Sequence, residues 1–200
     1  MSHEQIRALE MRIYELGQEL HQLRKQATPR EVPDYPFRTL DGPTTLGALF
    51  AGQEKLLVIH NMGQGCRYCT LWADGINAFL PHLETALSVV LVSRDEPALQ
   101  RRLANERGWR FRTASHGGGD YIREQNVDER YDNAPGVACY RRDGDRILRM
   151  GASSFGPGDQ FCALWPLLSL AGLGTEDWTP QFNYWKRPET MDDGGANLVD

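Results

Sequence analysis

Two short runs limit the folds open to this chain. Leu56-Leu57-Val58-Ile59 and Ser88-Val89-Val90-Leu91-Val92-Ser93 are apolar almost without interruption. Such runs suit strands covered on both faces rather than strands with one wet side. Between them Trp72, Ile76, Phe79, Leu80, Leu83 and Leu87 keep helical spacing. Strand, amphipathic helix and strand in that order make a crossover unit, which joins parallel strands.

The flanking segments extend this unit. Phe37–Leu40 reads as a short strand with Asp41-Gly42 as its turn, and Leu46–Phe50 as one helical turn. Glu96–Arg107 reads as a helix ended by Gly108, and Trp109–Thr113 as a further strand. Ser115–Arg130 contains a short helix. Asp143-Gly144 is a hairpin signal between Val137–Tyr140 and Arg146–Met150. A last helix is expected over Asp159–Leu170, kinked or split by Pro166. The expected architecture is α/β, a mixed sheet flanked by helices.

Three parts follow from this pattern. Residues 1–27 form an amphipathic N-terminal helix in which Ile6, Leu9, Ile13, Leu16, Leu20 and Leu23 hold a and d heptad positions. Such a stripe serves either a coiled-coil homodimer or docking on the helix's own domain. Residues 32–185 form the main domain. It is entered through an extended linker, Val32–Pro36, and closed by an aromatic extension with Trp178, Phe182, Tyr184 and Trp185. Residues 186–200 are polar and Gly-rich and are expected to be disordered.

Charge and composition exclude some functions. With 22 basic against 27 acidic residues the net charge is −5, which leaves no basic surplus for nucleic acid. The most apolar stretch, Ala163–Leu173, is too short to span a bilayer. The first residues carry no signal-peptide pattern, so a cytoplasmic protein is expected. Four cysteines in 200 residues do not make a disulfide scaffold.

Cys66 and Cys69 stand in C-x-x-C spacing between the first buried run and the amphipathic helix. Cys66 falls at the helix start, where unpaired backbone N–H groups and the positive helix end favour a thiolate. Cys69 lies one turn on, placed to resolve a mixed disulfide formed at Cys66. Arg67 adds positive charge beside the thiolate, and the bulk of Tyr68 narrows the approach. Two other readings stay open for such a pair, a zinc site and an inert structural pair. Zinc needs two more ligands, and neither His60 nor His116 has supporting spacing. No other cofactor is called for.

The chain resembles the thioredoxin superfamily, and within it the domain-of-unknown-function family 899, described as predicted dithiol–disulfide oxidoreductases. The resemblance rests on Thr45–Phe50, on Gly65–Gly75 with its C-x-x-C-x-x-W-A-D-G run, and on Gly108–Phe111, Arg142–Gly144 and Phe155–Asp159. It covers about Val32 to Trp185. It implies a thioredoxin-like fold, Cys66 as attacking thiol and Cys69 as resolving thiol. Pro135 resembles the cis-proline that faces the cysteines in such proteins, with the Ala134 backbone pairing with a bound partner; an ordinary trans turn proline is the other reading. The expected partner is a protein or small-molecule thiol or disulfide. The chain departs from thioredoxin in its Arg67-Tyr68 dipeptide, in Gln64-Gly65 before Cys66 and in its N-terminal helix. The P-x-x-x-T-x-x-C arrangement of peroxiredoxins is absent. The alternative function is a redox-silent module that binds a partner or dimerises.

His60 and Cys139 read as core residues, and so does Cys162. Asp74 reads as a solvated helix residue, and Gly75 as a bend or a close contact.

Overall fold

The computed structural model describes residues His3–Gln181. At its centre β4 (Lys55–His60) runs parallel to β5 (Ser88–Ser93), joined by α2 (Arg67–Leu83). Every residue of β5 is buried, as its unbroken run requires. The chain continues through α3 (Pro97–Arg107) to β6 (Arg112–Ser115), which adds parallel to β5. On the other side β7 (Gly136–Asp143) pairs antiparallel with β4, and β8 (Arg146–Ser154) pairs antiparallel with β7. Three short strands complete the two ends, β1 (Arg30–Val32) on β8 and the hairpin of β2 (Pro36–Thr39) with β3 (Gly42–Thr45) beside β6. Among the described residues this makes one eight-stranded sheet, β1-β8-β7-β4-β5-β6-β2-β3.

Alternation along the strands divides the core in two. Leu56, Val58, Val90 and Val92 pack with Phe37, Leu46, Phe50, Tyr121 and Ile122, under the 3-10 turn Ala48–Phe50 and α4 (Asp120–Gln125). Ile59, Val89 and Leu91 pack with Trp72, Ala73 and Leu80 of α2, Ala104 of α3, and Trp165 of α5 (Leu164–Leu170). The fold is thus the expected mixed sheet with helices on both faces.

Several local expectations are corrected. The segment read as an extended linker is stitched into the sheet. Val32 pairs with Ile147, and the Tyr35 ring is buried. The strand expected over Trp109–Thr113 starts later, at Arg112, because the Trp109 and Phe111 side chains are drawn into the core around α2. The last helix begins at Leu164 rather than Asp159. The Asp159 carboxylate accepts the N–H groups of Gly156 (2.9 Å), Phe161 (2.8 Å) and Cys162 (3.2 Å), which holds Phe155–Cys162 as turns. Pro166 then falls in the first helical turn, where no N–H is needed. Phe79 is exposed rather than buried, and a Cβ on Gly75 would meet open space, so that glycine marks no close contact.

The N-terminal helix α1 (His3–Gln26) is continuous, and none of its residues is buried. Docking of its apolar stripe on the domain is therefore not what the fold displays. Phe182, Tyr184 and Trp185 of the expected aromatic extension, and the tail 186–200, lie outside the described residues. Trp178 is half-buried against Trp165, with ring centres 6.0 Å apart.

Candidate active site

The first half of the site is a turn. After β4, the Asn61 side chain accepts the Gly63 N–H at 2.8 Å, and Asp95, just beyond β5, accepts the Gln64 N–H at 2.8 Å. Gly63 has φ +114°, and a Cβ there would lie 2.8 Å from the Asp95 carboxylate. Only glycine suits both the dihedral and the space. The turn closes with the Cys66 N–H on the Gly63 carbonyl, 3.1 Å. It sets Cys66 down, in extended conformation, as the N-cap of α2.

At an N-cap the side chain ordinarily offers an oxygen to the N–H three residues on. Here the acceptor is sulfur, with the Cys69 N–H 3.1 Å from Cys66 Sγ. Cys69 Sγ in turn accepts the Met62 N–H at 3.4 Å. Each thiol thus has a backbone donor. Their surroundings differ: Cys66 is half-buried and Cys69 is only 3% exposed.

That difference separates their acidities. The Cys66 thiol is lowered to about 7, chiefly by the hydrogen bond from the Cys69 side chain, with the backbone N–H groups of Cys69 and Tyr68 adding to it and burial opposing. Cys69 is held well above the usual thiol range, first by that same hydrogen bond, then by burial and the charge on Cys66. The lowering comes from these hydrogen bonds. An acidic, accessible thiol before a neutral, enclosed one suits attack followed by resolution.

The remaining candidate residues divide. Tyr68 leans on Trp72, ring centres 6.1 Å apart, at one end of an aromatic row that continues to Phe155 at 5.3 Å. The 126–135 loop comes beside the turn, where the Asn133 side chain reaches the Met62 carbonyl at 3.5 Å. Pro135 does not have the cis geometry; no peptide bond among the described residues is cis. Ala134 is buried, and its N–H donates to the Asn126 side chain at 2.9 Å, so that donor is already engaged. The Pro135 carbonyl accepts the Phe155 N–H at 2.8 Å. That bond holds the loop to the end of β8.

His60 and His116, the histidines a zinc site would need, belong to the other face of the sheet. Both rings lie against Tyr121 of α4, and His60 Nε2 is 2.7 Å from its hydroxyl. Among the described residues no group of three or more His, Cys, Asp or Glu side chains is arranged to hold a metal ion. No helix there is long and apolar enough to cross a membrane. Cys139 is half-buried and Cys162 buried, and burial raises both thiols.

Sequence reasoning missed Asn61, Asp95 and Asn126. Asn61-x-Gly63 is a local turn signal that was there to be read. Asp95 acts across 31 positions and Asn126 from a separate loop, and no local pattern announces either.

The family described as "Bacterial protein of unknown function (DUF899)" matches residues 3–191. The chain belongs to the DUF899 family. No curated protein matches it. Among solved structures it is similar to reduced Prx3 from Vibrio vulnificus, with TM-score 0.56, 11% identity, and 72% of this chain and 98% of that chain covered. A cysteine-to-serine mutant of Xanthomonas campestris peroxiredoxin Q gives TM-score 0.53 at 20% identity, covering 69% and 92%. A peroxiredoxin-like protein from Aquifex aeolicus gives 0.51 at 15%, covering 63% and 74%. At such identities the likeness is one of fold. This DUF899 chain is built on the thioredoxin-like scaffold that peroxiredoxins share.

Proposed function

We propose that the chain is a thiol–disulfide oxidoreductase working through Cys66 and Cys69. The observation that carries this reading is the asymmetry of the pair: a half-exposed Cys66 lowered to about 7 at a helix N-cap, backed by a buried Cys69 of raised pKa. The Cys66 thiolate attacks one sulfur of a substrate disulfide. The S–S bond breaks, one half leaves as thiolate, and a mixed disulfide forms with Cys66. Cys69 then gives up its proton and attacks Cys66 Sγ, expelling the second half as thiolate. Two electrons pass to the substrate, and the Cys66–Cys69 disulfide remains to be reduced by a thiol donor. The Met62 N–H, already directed at Cys69 Sγ, stabilises the charge that grows there. Arg67 and Tyr68 border the approach; Ala134 and Pro135 shape it by fixing the neighbouring loop.

Hydroperoxides are the second reading, favoured by the peroxiredoxin fold of the solved neighbours. Thiolate attack would then give an alcohol and a Cys66 sulfenic acid, and Cys69 would condense with it and release water. Ile59 and Gly63 stand where the P-x-x-x-T-x-x-C arrangement places its Pro and Thr, which ranks this reading below disulfide exchange.

The test is trapping. With a model disulfide, Cys69→Ser should accumulate a mixed disulfide at Cys66, whereas Cys66→Ser should neither trap nor turn over, both followed by intact mass. Turnover of a hydroperoxide with none of a disulfide would select the second reading. A protein whose two thiols stay reduced under both oxidants is the redox-silent module instead.

A further inference from the structure

We propose that α1 joins two copies of this chain in a parallel two-stranded coiled coil. The helix carries an uninterrupted apolar seam that the domain leaves uncovered. Ile6, Leu9, Ile13, Leu16 and Leu23 are all about half to two-thirds exposed, with Ile13 at 69%. Only Leu20 is half-buried, and no residue of the helix is buried. In a heptad frame Ile6, Ile13 and Leu20 are a positions, and Leu9, Leu16 and Leu23 are d positions. Two of the three a positions are β-branched and all three d positions are leucine, a pattern that favours two parallel strands over three or four.

Charge agrees with that occupant and that direction. A parallel alignment sets g of one helix against the following e of the other. Glu19 then meets Arg24 of the second copy, twice by symmetry. The other two such positions pair Gln5 with Glu10 and Arg12 with Gly17, so no like charges meet. Of the outer positions Arg7, Glu15, Gln18, His21, Gln22 and Lys25 are polar and keep most of the back of the seam wet; Ala8, Met11 and Tyr14 are the exceptions. Six aliphatic side chains from each helix suffice for roughly the 1,000 Å² that a specific interface requires.

The attachment is short. Three residues, Ala27-Thr28-Pro29, separate α1 from β1, which is paired with β8 at the edge of the sheet. Extended, three residues span about 10 Å. Two domains hung from the carboxyl ends of parallel helices therefore lie side by side near the dyad, each with its own dithiol.

The test is the mass of the full-length chain in solution, by sedimentation or light scattering up to ~100 µM, a range chosen because weak specific interfaces associate at micromolar concentration. The expected result is twice the mass of one chain. Leu16→Asp, at the central d layer, should return the protein to a single-chain mass and leave the domain's melting temperature and Cys66 reactivity unchanged, since α1 contributes nothing to the core. Arg24→Glu should weaken association several-fold, and Glu19→Arg with Arg24→Glu should restore it. Arg12→Glu should have no effect, because Arg12 faces Glu19 only in an antiparallel pair. A single-chain mass across the range, a trimer or tetramer, or a dimer that Leu16→Asp leaves intact would each overturn the proposal. So would dissociation by Arg12→Glu without any by Arg24→Glu, or loss of the domain's own melting transition in Leu16→Asp.

Discussion

At the scale of single residues, the chemistry depends on how one sulfur atom is hydrogen-bonded. A thiol with its ordinary pKa near 8.5 is about 3% thiolate at pH 7, whereas one at about 7 is roughly half ionised. The hydrogen bond from the Cys69 side chain is the largest cause of that difference. Alkylation of Cys66 by iodoacetamide, read by peptide mass, should therefore rise with pH about a midpoint close to 7. In Cys69→Ala the side-chain donor is gone while the backbone N–H of residue 69 remains, so the midpoint should move upward, toward the ordinary value. At pH 7 the Cys69→Ala protein should alkylate several-fold more slowly than the wild type. An unmoved midpoint would mean that the helix N-terminus alone sets the acidity of Cys66.

At the scale of elements, the site depends on α2 holding its angle over the sheet. Its inner face is anchored by Trp72, Ala73 and Leu80, and its outer edge by Asp74. The Asp74 carboxylate receives the Arg107 guanidinium of α3, with Arg107 Nε at 3.2 Å and a closer contact through Nη2, and the Trp109 indole N–H at 2.7 Å. The sequence reading of Asp74 as solvated is thus corrected: it ties α2 to the end of α3, and the Arg107 side chain it faces is only 8% exposed. Asp74→Ala removes the carboxylate facing a buried cation and should cost about 2–3 kcal/mol in urea unfolding, toward the low end for a buried ion pair because Asp74 keeps some solvent. Asp74→Asn keeps an acceptor for Trp109 and should lose less. Why this role escaped sequence reading is physical. Asp74 sits on a helix side that periodicity marks as polar, and its two partners come from a helix end and a loop 33 and 35 residues away. The elements themselves were legible wherever apolar spacing was strong, as in β4, α2, β5 and the β7–β8 hairpin. They were not where a single side chain overrides periodicity, as Asp159 does by gathering three N–H groups and delaying α5.

At the scale of the whole molecule, the sheet separates two environments. The α2 face carries the dithiol and an aromatic core. The α4 face hides a polar network with no counterpart in the local sequence pattern. His60 Nε2 meets the Tyr121 hydroxyl at 2.7 Å, and Tyr140 donates to that hydroxyl at 3.2 Å. Nearby, Tyr35 donates to Glu124 at 2.7 Å and accepts from Gln125 at 2.8 Å. His60 was legible as a core residue because it ends an apolar strand. Its partners were not, because they are assembled from α4 and β7, far off in the chain. Burial, then the His116 and Arg149 charges, lower His60 to about 3, and burial with Arg94 lowers His116 to about 4. Both rings are neutral in the folded protein near pH 7, while in the unfolded chain they titrate near 6.5. Above 6.5 neither state binds the proton and the fold keeps its full stability. Below 6.5 the unfolded chain takes up protons that the folded one refuses, so stability falls as pH falls, down to the folded values near 3 to 4. For His60 the slope approaches about 1.4 kcal/mol per pH unit below pH 6. The urea midpoint should therefore drop steadily between pH 6.5 and 4.5, and more shallowly in His60→Gln, which keeps a hydrogen-bonding group near Tyr121 and does not titrate. Equal slopes in the two proteins would mean that His60 takes up its proton in the fold as readily as in the unfolded chain, and that burial does not hold the ring neutral.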